Sequence, residues 1–134
     1  MNRSVCQNVC KCAPLLVVIV GLTLAGCGSM RAYEGPSHPA RDLAHIEGDS
    51  RIAGAPLSVI LRRVDDQDVG LFDSGVDLLP GDHSLLIDCT VTESKQTTRH
   101  HLDVDVDAGV KYRLVADTGP GNRECVDVQL INVN

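Results

Sequence analysis

The chain has 134 residues, 12 Lys and Arg against 18 Asp and Glu, a formal net charge of −6 and 6 Cys. That length fits one domain. The acidic balance excludes a nucleic-acid partner, which needs clustered Lys and Arg, and three aromatics (Tyr33, Phe72, Tyr112) with no Trp are too few to stack bases or sugar rings.

In chain order, Arg3 and Lys11 place positive charge ahead of an uncharged run over residues 13–25. Leu15-Leu16-Val17-Val18-Ile19-Val20 is its apolar centre, and Ala25-Gly26 closes it. A basic start, a short apolar middle and a small-residue exit are the layout of a secretory signal. The run is shorter than the roughly 20 apolar residues that a bilayer requires. Cys6, Cys10 and Cys12 lie inside this segment and are expected to leave with it, without a role in the mature protein.

The exit, Leu24-Ala25-Gly26-Cys27, resembles the bacterial lipobox. The resemblance implies cleavage between Gly26 and Cys27, a diacylglyceryl thioether on Cys27, and acylation, palmitate-like, of the new amino terminus. Two or more chains hold a protein to a membrane where one is marginal. Gly28 and Ser29 stand where inner-membrane lipoproteins often carry Asp, so the resemblance also implies outer-membrane sorting. The alternative is a secreted protein cut nearby, with Cys27 a spare thiol.

Cys89 and Cys125 remain for the folded part, and in an oxidising compartment a disulfide between them is the default; two unpaired thiols are the alternative. Strict alternation places Cys89 with Leu85, Ile87 and Val91, but Cys125 with Asp127 and Gln129. A bulge, or a Cys125 lying before the strand proper, would reconcile the two.

Residues 27–42, rich in Gly, Pro, Ser and charge, read as a lipidated amino terminus and tether; residues 43–134 read as the folded domain. There the period is two. Strands are expected near 43–46, at 57–64, 69–72, 76–79, 83–91, 99–107, 111–117 and 125–133. They are separated by Asp65-Asp66-Gln67-Asp68, Asp73-Ser74-Gly75, Pro80-Gly81, a polar connection over 92–98, Ala108-Gly109 and a Gly-Pro-Gly loop at 119–121. Seven or eight short strands with no helical stripe predict an all-β fold, a small antiparallel β-sandwich or open barrel.

Tyr33-x-Gly35-Pro36 after a lipobox, Leu78-Leu79-Pro80-Gly81-x-His83, and Ala108-Gly109-x-x-Tyr112-x-Leu114 together resemble a loose group of small Gram-negative envelope lipoproteins. The middle part is similar to the turn-strand signature of PEGA-type β-sandwich modules. Val64-Asp65-Asp66 departs from the Val-Asp-Gly that related chains often carry at a tight turn. The resemblance implies an exported β-sandwich and brings no catalytic residues, because none are established for the group.

Three constellations suggest chemistry. Asp73-Ser74-Gly75 matches the triplet of aspartic proteases, whose two carboxylates share a proton, so one copy would require a dimer; it is also ordinary turn chemistry. Asp103, Asp105 and Asp107 ahead of Gly109 resemble a calcium loop, but Ala108 and Leu114 stand where an EF-hand needs Gly and Glu, and Val104 and Val106 between them favour a solvated strand face. His83, Asp88, His100 and His101 offer metal donors, yet neighbouring His residues on a strand point to opposite faces. No catalytic residue, metal site or cofactor is assigned.

These readings converge on a non-catalytic binding or accessory module of the cell envelope. It would be anchored through Cys27 at the periplasmic face of the outer membrane and would offer a sheet edge to an envelope protein partner. The alternatives are a metal-binding lipoprotein and a dimeric aspartic protease.

Overall fold

The computed structural model describes residues 28–47, 56–70, 73 and 75–134. Among them the chain forms nine strands and one short 3-10 turn, Ala40–Asp42. The strands are β1 (Met30–Arg31), β2 (Ala44–Glu47), β3 (Leu57–Val64), β4 (Gln67–Asp68), β5 (Gly75–Leu78), β6 (Gly81–Val91), β7 (Gln96–Val106), β8 (Lys111–Thr118) and β9 (Cys125–Asn132). One sheet runs β1-β5-β2-β8-β9 and the other β4-β3-β6-β7. The pairings are antiparallel except β1 with β5 and β2 with β8. The all-β sandwich expected from the two-residue period is the fold.

Alternation builds the core between the sheets. Ile46, Leu61, Val64, Val76, Leu78, Leu85, Ile87, Val91 and Val106 are almost wholly buried there, and Tyr112, Leu114 and Val128 join them. Each such aliphatic side chain contributes roughly 1.5–3 kcal/mol of burial. Opposite faces of the same strands carry the charge: His101, Asp103 and Asp105 point outward from β7 while Leu102, Val104 and Val106 point inward.

Several boundaries differ from the sequence reading. The polar connection expected over 92–98 shrinks to the four-residue link between Val91 and Gln96, because Thr97 and Thr98 continue the ladder opposite Thr90 and Cys89. The Thr90 and Thr97 hydroxyls, 2.8 Å apart, fasten that end of the hairpin. The expected turn at 65–68 is half strand. Val64 pairs with Gln67 and Arg63 with Asp68, so only Asp65 and Asp66 form the loop. Asp65 takes the left-handed conformation, φ 50°, that a Gly would otherwise supply, and its side chain accepts from the Ser84 amide at 2.9 Å. Val69 and Gly70 are not strand; residues 71 and 72 lie outside the described residues.

The tether expected over 27–42 is also shorter. Met30–Arg31 pairs with Val76–Asp77, the Ala32 amide donates to the Asp77 carbonyl at 3.0 Å, and Ala32 is buried. Pairing needs only backbone groups, so two residues without a β pattern extend the sheet once β5 offers a free edge.

Candidate functional site

Gly26 and Cys27, the expected cleavage and lipidation positions, lie outside the described residues, and the description begins at the neighbouring Gly28. Cys89 on β6 and Cys125 on β9 stand at disulfide distance across the two sheets, Cα to Cα 6.2 Å, both buried in the core. The conflict of faces is resolved by a bulge. Asp117 pairs with Asp127 and Thr118 with Cys125, so Val126 is an extra residue on β9. It shifts the alternation by one, turning Cys125 inward with Val128 while Val126 is half exposed.

The structure separates the residues of the other constellations. Asp73 accepts a hydrogen bond from the Gly70 amide at 2.9 Å, as a turn carboxylate does, and Ser74 lies outside the described residues. Gly75 opens β5: a Cβ there would meet the His45 ring at 2.6 Å and the Ile46 carbonyl oxygen at 2.8 Å, so a side chain would push β5 off β2. His100 turns inward opposite Ile87, with its Nε2 buried and without a hydrogen-bond partner, while His101 turns out. His83 is held between the Asp65 carboxylate (Nδ1, 2.7 Å) and the Leu79 carbonyl (Nε2, 2.8 Å). Burial pushes the Asp65 carboxyl up, but the Ser84 amide and the His83 ring outweigh it and hold the group below its ordinary value. Among the described residues no three His, Cys, Asp or Glu side chains converge as metal ligands.

Asp88 has a different role from the donor considered in the sequence. It lies on the outer face of β6, yet only 4% of it is exposed. Arg99 of β7 grips it from one side with two bonds, 2.8 and 3.2 Å, and Arg62 of β3 from the other at 2.8 Å. Arg62 is itself a bulge residue, skipped between the Leu61–Ile87 and Arg63–Leu86 pairs, which lets it reach Asp88. The Arg99 hydrogen bond leads in holding the Asp88 carboxyl below its usual range, against burial. The three charges clamp β3, β6 and β7 together.

A concavity of about 900 Å³ lies over the outer face of the five-stranded sheet. Its floor is a row across that face: Arg31 on β1, Asp77 on β5, His45 on β2 and Lys111 on β8, in register. Its wall is the segment from Tyr33 to Leu43. Tyr33 and His38 meet edge to face, ring centres 5.5 Å apart. The Gly109 amide donates to the Leu43 carbonyl at 2.8 Å. Gly109 sits at φ 75°, where a Cβ would lie 3.1 Å from the Arg41 carbonyl oxygen, so glycine lets this segment pack against the β7–β8 turn. The acids of the groove are engaged. Asp77 accepts from Ser29 at 2.5 Å and pairs with His45 Nδ1 at 2.7 Å; Glu47 takes Arg113 at 2.5 Å, which holds its carboxyl below the ordinary value. Among the described residues Arg31 and Lys111 form no ion pair.

No family model, curated protein or solved structure matches this chain. The site is therefore read from its own geometry. The groove escaped sequence reasoning because its residues come from three separated stretches, 28–47, Asp77 and 109–111, that only the strand pairing brings together. Only the Tyr33-Glu34-Gly35-Pro36 pattern marked the wall, and alternation in β2 and β8 marked which side chains face it.

Proposed function

We propose that this protein is a lipid-anchored module of the bacterial envelope, held through Cys27 at the periplasmic face of the outer membrane, whose role is to bind a protein partner rather than to catalyse a reaction. The observation that carries the binding role is the open side of the sandwich. β7, eleven residues long, and β9, eight residues long, are both terminal strands, and among the described residues each has a hydrogen-bonded neighbour on one side only. An extended segment of a partner can continue either sheet there, with backbone bonds giving affinity and alternate side chains giving selectivity. The lipobox supports the anchor, and the cysteine pair in the core suits an oxidising compartment. The likeness to PEGA-type modules belongs to the same proposal.

The test is cross-linking in living cells, solubilisation of the envelope and identification of what is recovered with the tagged protein, with Cys27→Ser as the mislocalised control. One dominant partner, lost in the control, supports the proposal. Recovery of the protein alone, or a purified chain whose amino terminus carries no lipid mass, refutes it.

A further inference from the structure

β7 ends its sheet with an open edge, and the hydrogen-bond ladder fixes which groups that edge offers. The Ser84 carbonyl and the Thr92 amide of the β6 segment bond to Asp65 and Pro56 on the β3 side. In an antiparallel ladder the bonding direction alternates along the strand, so the odd-numbered residues of β6 bond to β7. Their register partners are the even-numbered residues of β7. The amides and carbonyls of Thr97, Arg99, His101, Asp103 and Asp105 therefore point away from β6, and among the described residues they form no hydrogen bond. Edges are commonly blunted by a bulge or a proline. β7 has neither, and its register with β6 runs without a shift. β9, the edge of the other sheet, is interrupted by the Val126 bulge, and its Val128 amide is taken by Asp127 at 2.9 Å.

The side chains along β7 carry opposite charge in its two halves. Arg99 shares Asp88 with Arg62, so two cations meet one carboxylate there. Asp103 and Asp105 are exposed, and with Asp82, the neighbour of Asp105 on β6, they form no ion pair among the described residues. On the inner face Leu102 and Val104 are only half-buried against the core, since no strand continues the sheet over them. A strand that is cationic in one half and acidic in the other complements a reversed copy of itself, which is what an antiparallel pair about a two-fold axis presents.

We infer that β7 pairs antiparallel with β7 of a second copy of this chain, joining the two four-stranded sheets into one, with the two-fold axis at Leu102. In that register Arg99 lies opposite Asp105 of the second copy and His101 opposite Asp103 of the second copy, each twice by symmetry. All of these residues turn their backbone groups to the edge, so each pair exchanges two hydrogen bonds. Leu102 meets Leu102 of the second copy on the inner face, at the closer, non-hydrogen-bonded position. Moving the axis to Asp103 or to Arg99 sets like charges against each other, and moving it to His101 sets Leu102 against His100. The pairing does not depend on the anchor at Cys27. It is distinct from the envelope partner proposed above, for which β9 remains the other edge.

The full-length protein, purified in detergent, is sedimented over a range of concentrations beside two variants, Asp103→Lys/Asp105→Lys and Leu102→Cys. The two aspartates are exposed and unpaired, so the first variant should melt with the parent. The parent is expected to form a dimer, and the lysine variant to associate at least about tenfold more weakly, because attraction to Arg99 becomes repulsion. Oxidised Leu102→Cys chains should be joined through position 102, which peptide mass reads. A parent that stays monomeric at every concentration overturns the inference. So does a dimer that the lysine variant leaves unchanged, or one whose Leu102→Cys chains do not cross-link.

Discussion

Replacing Cys89 and Cys125 together by Ala tests the clearest long-range tie in the molecule. The two residues are 36 positions apart in sequence, so a bond between them closes a loop of that size in the unfolded chain. In the chain-entropy account, closing such a loop removes about 13 cal/mol/K from the unfolded ensemble, or about 3.8 kcal/mol at 25 °C. For a domain of this size each kcal/mol moves Tm by roughly 4–8 °C, so the double variant should melt about 15–30 °C below the parent. The sites are 0% and 4% exposed, and Ala keeps them apolar, so little further loss comes from unsatisfied groups. The assay is thermal and urea unfolding of parent, double variant and reduced parent, alongside a thiol count on the parent under denaturing, non-reducing conditions. Two free thiols in the oxidised parent, or a double variant within about 1 kcal/mol of it, would refute the reasoning, since the expected loop term falls well above that.

Deleting Val126 should restore strict alternation in β9, turn Cys125 outward and leave Cys89 as a titratable thiol, which mass labelling reads directly. Asp88→Asn is expected to destabilise by about 2 kcal/mol in urea unfolding. That value lies toward the low end for charged hydrogen bonds because both arginines reach solvent and can rehydrate. Asp88, Glu47 and Asp65 all have folded values below their ordinary ones, so their contribution is fully present above the usual carboxylate range and is lost as pH falls through the folded values. Unfolding free energy should therefore decline below about pH 4, and Asp88→Asn should make that decline shallower.

The parts of the fold that alternate were legible. The alternation of Leu102, Val104 and Val106 with His101, Asp103 and Asp105 in the sequence matches the two faces of β7, and that of Tyr112 and Leu114 with Lys111 and Arg113 matches those of β8. What the pattern could not show is where the alternation slips. The bulges at Arg62 and Val126 leave no composition signal, although the misplaced face of Cys125 pointed to one of them. Nor could it show β1, whose two residues are strand only because β5 is there to receive them. The Asp88 clamp was hidden for a related reason. Its three members lie on three strands, and in the sequence Asp88 stood only as a candidate metal donor, because nothing there places Arg99 opposite it.

The order β1-β5-β2-β8-β9 also acts as a ruler. Among the described residues, β1 is at one end of the sheet and the edge strand β9 is at the other. With strands about 4.8 Å apart, a segment added beyond β9 would lie roughly 24 Å to the side of β1, the strand nearest the proposed lipidation position Cys27. Hydrogen-bonded strands neither stretch nor slide easily, so under the proposed binding role the sheet would fix the lateral reach of a captured segment. A longer tether before β1 would change how far the protein wanders but not that spacing; inserting or removing a strand would.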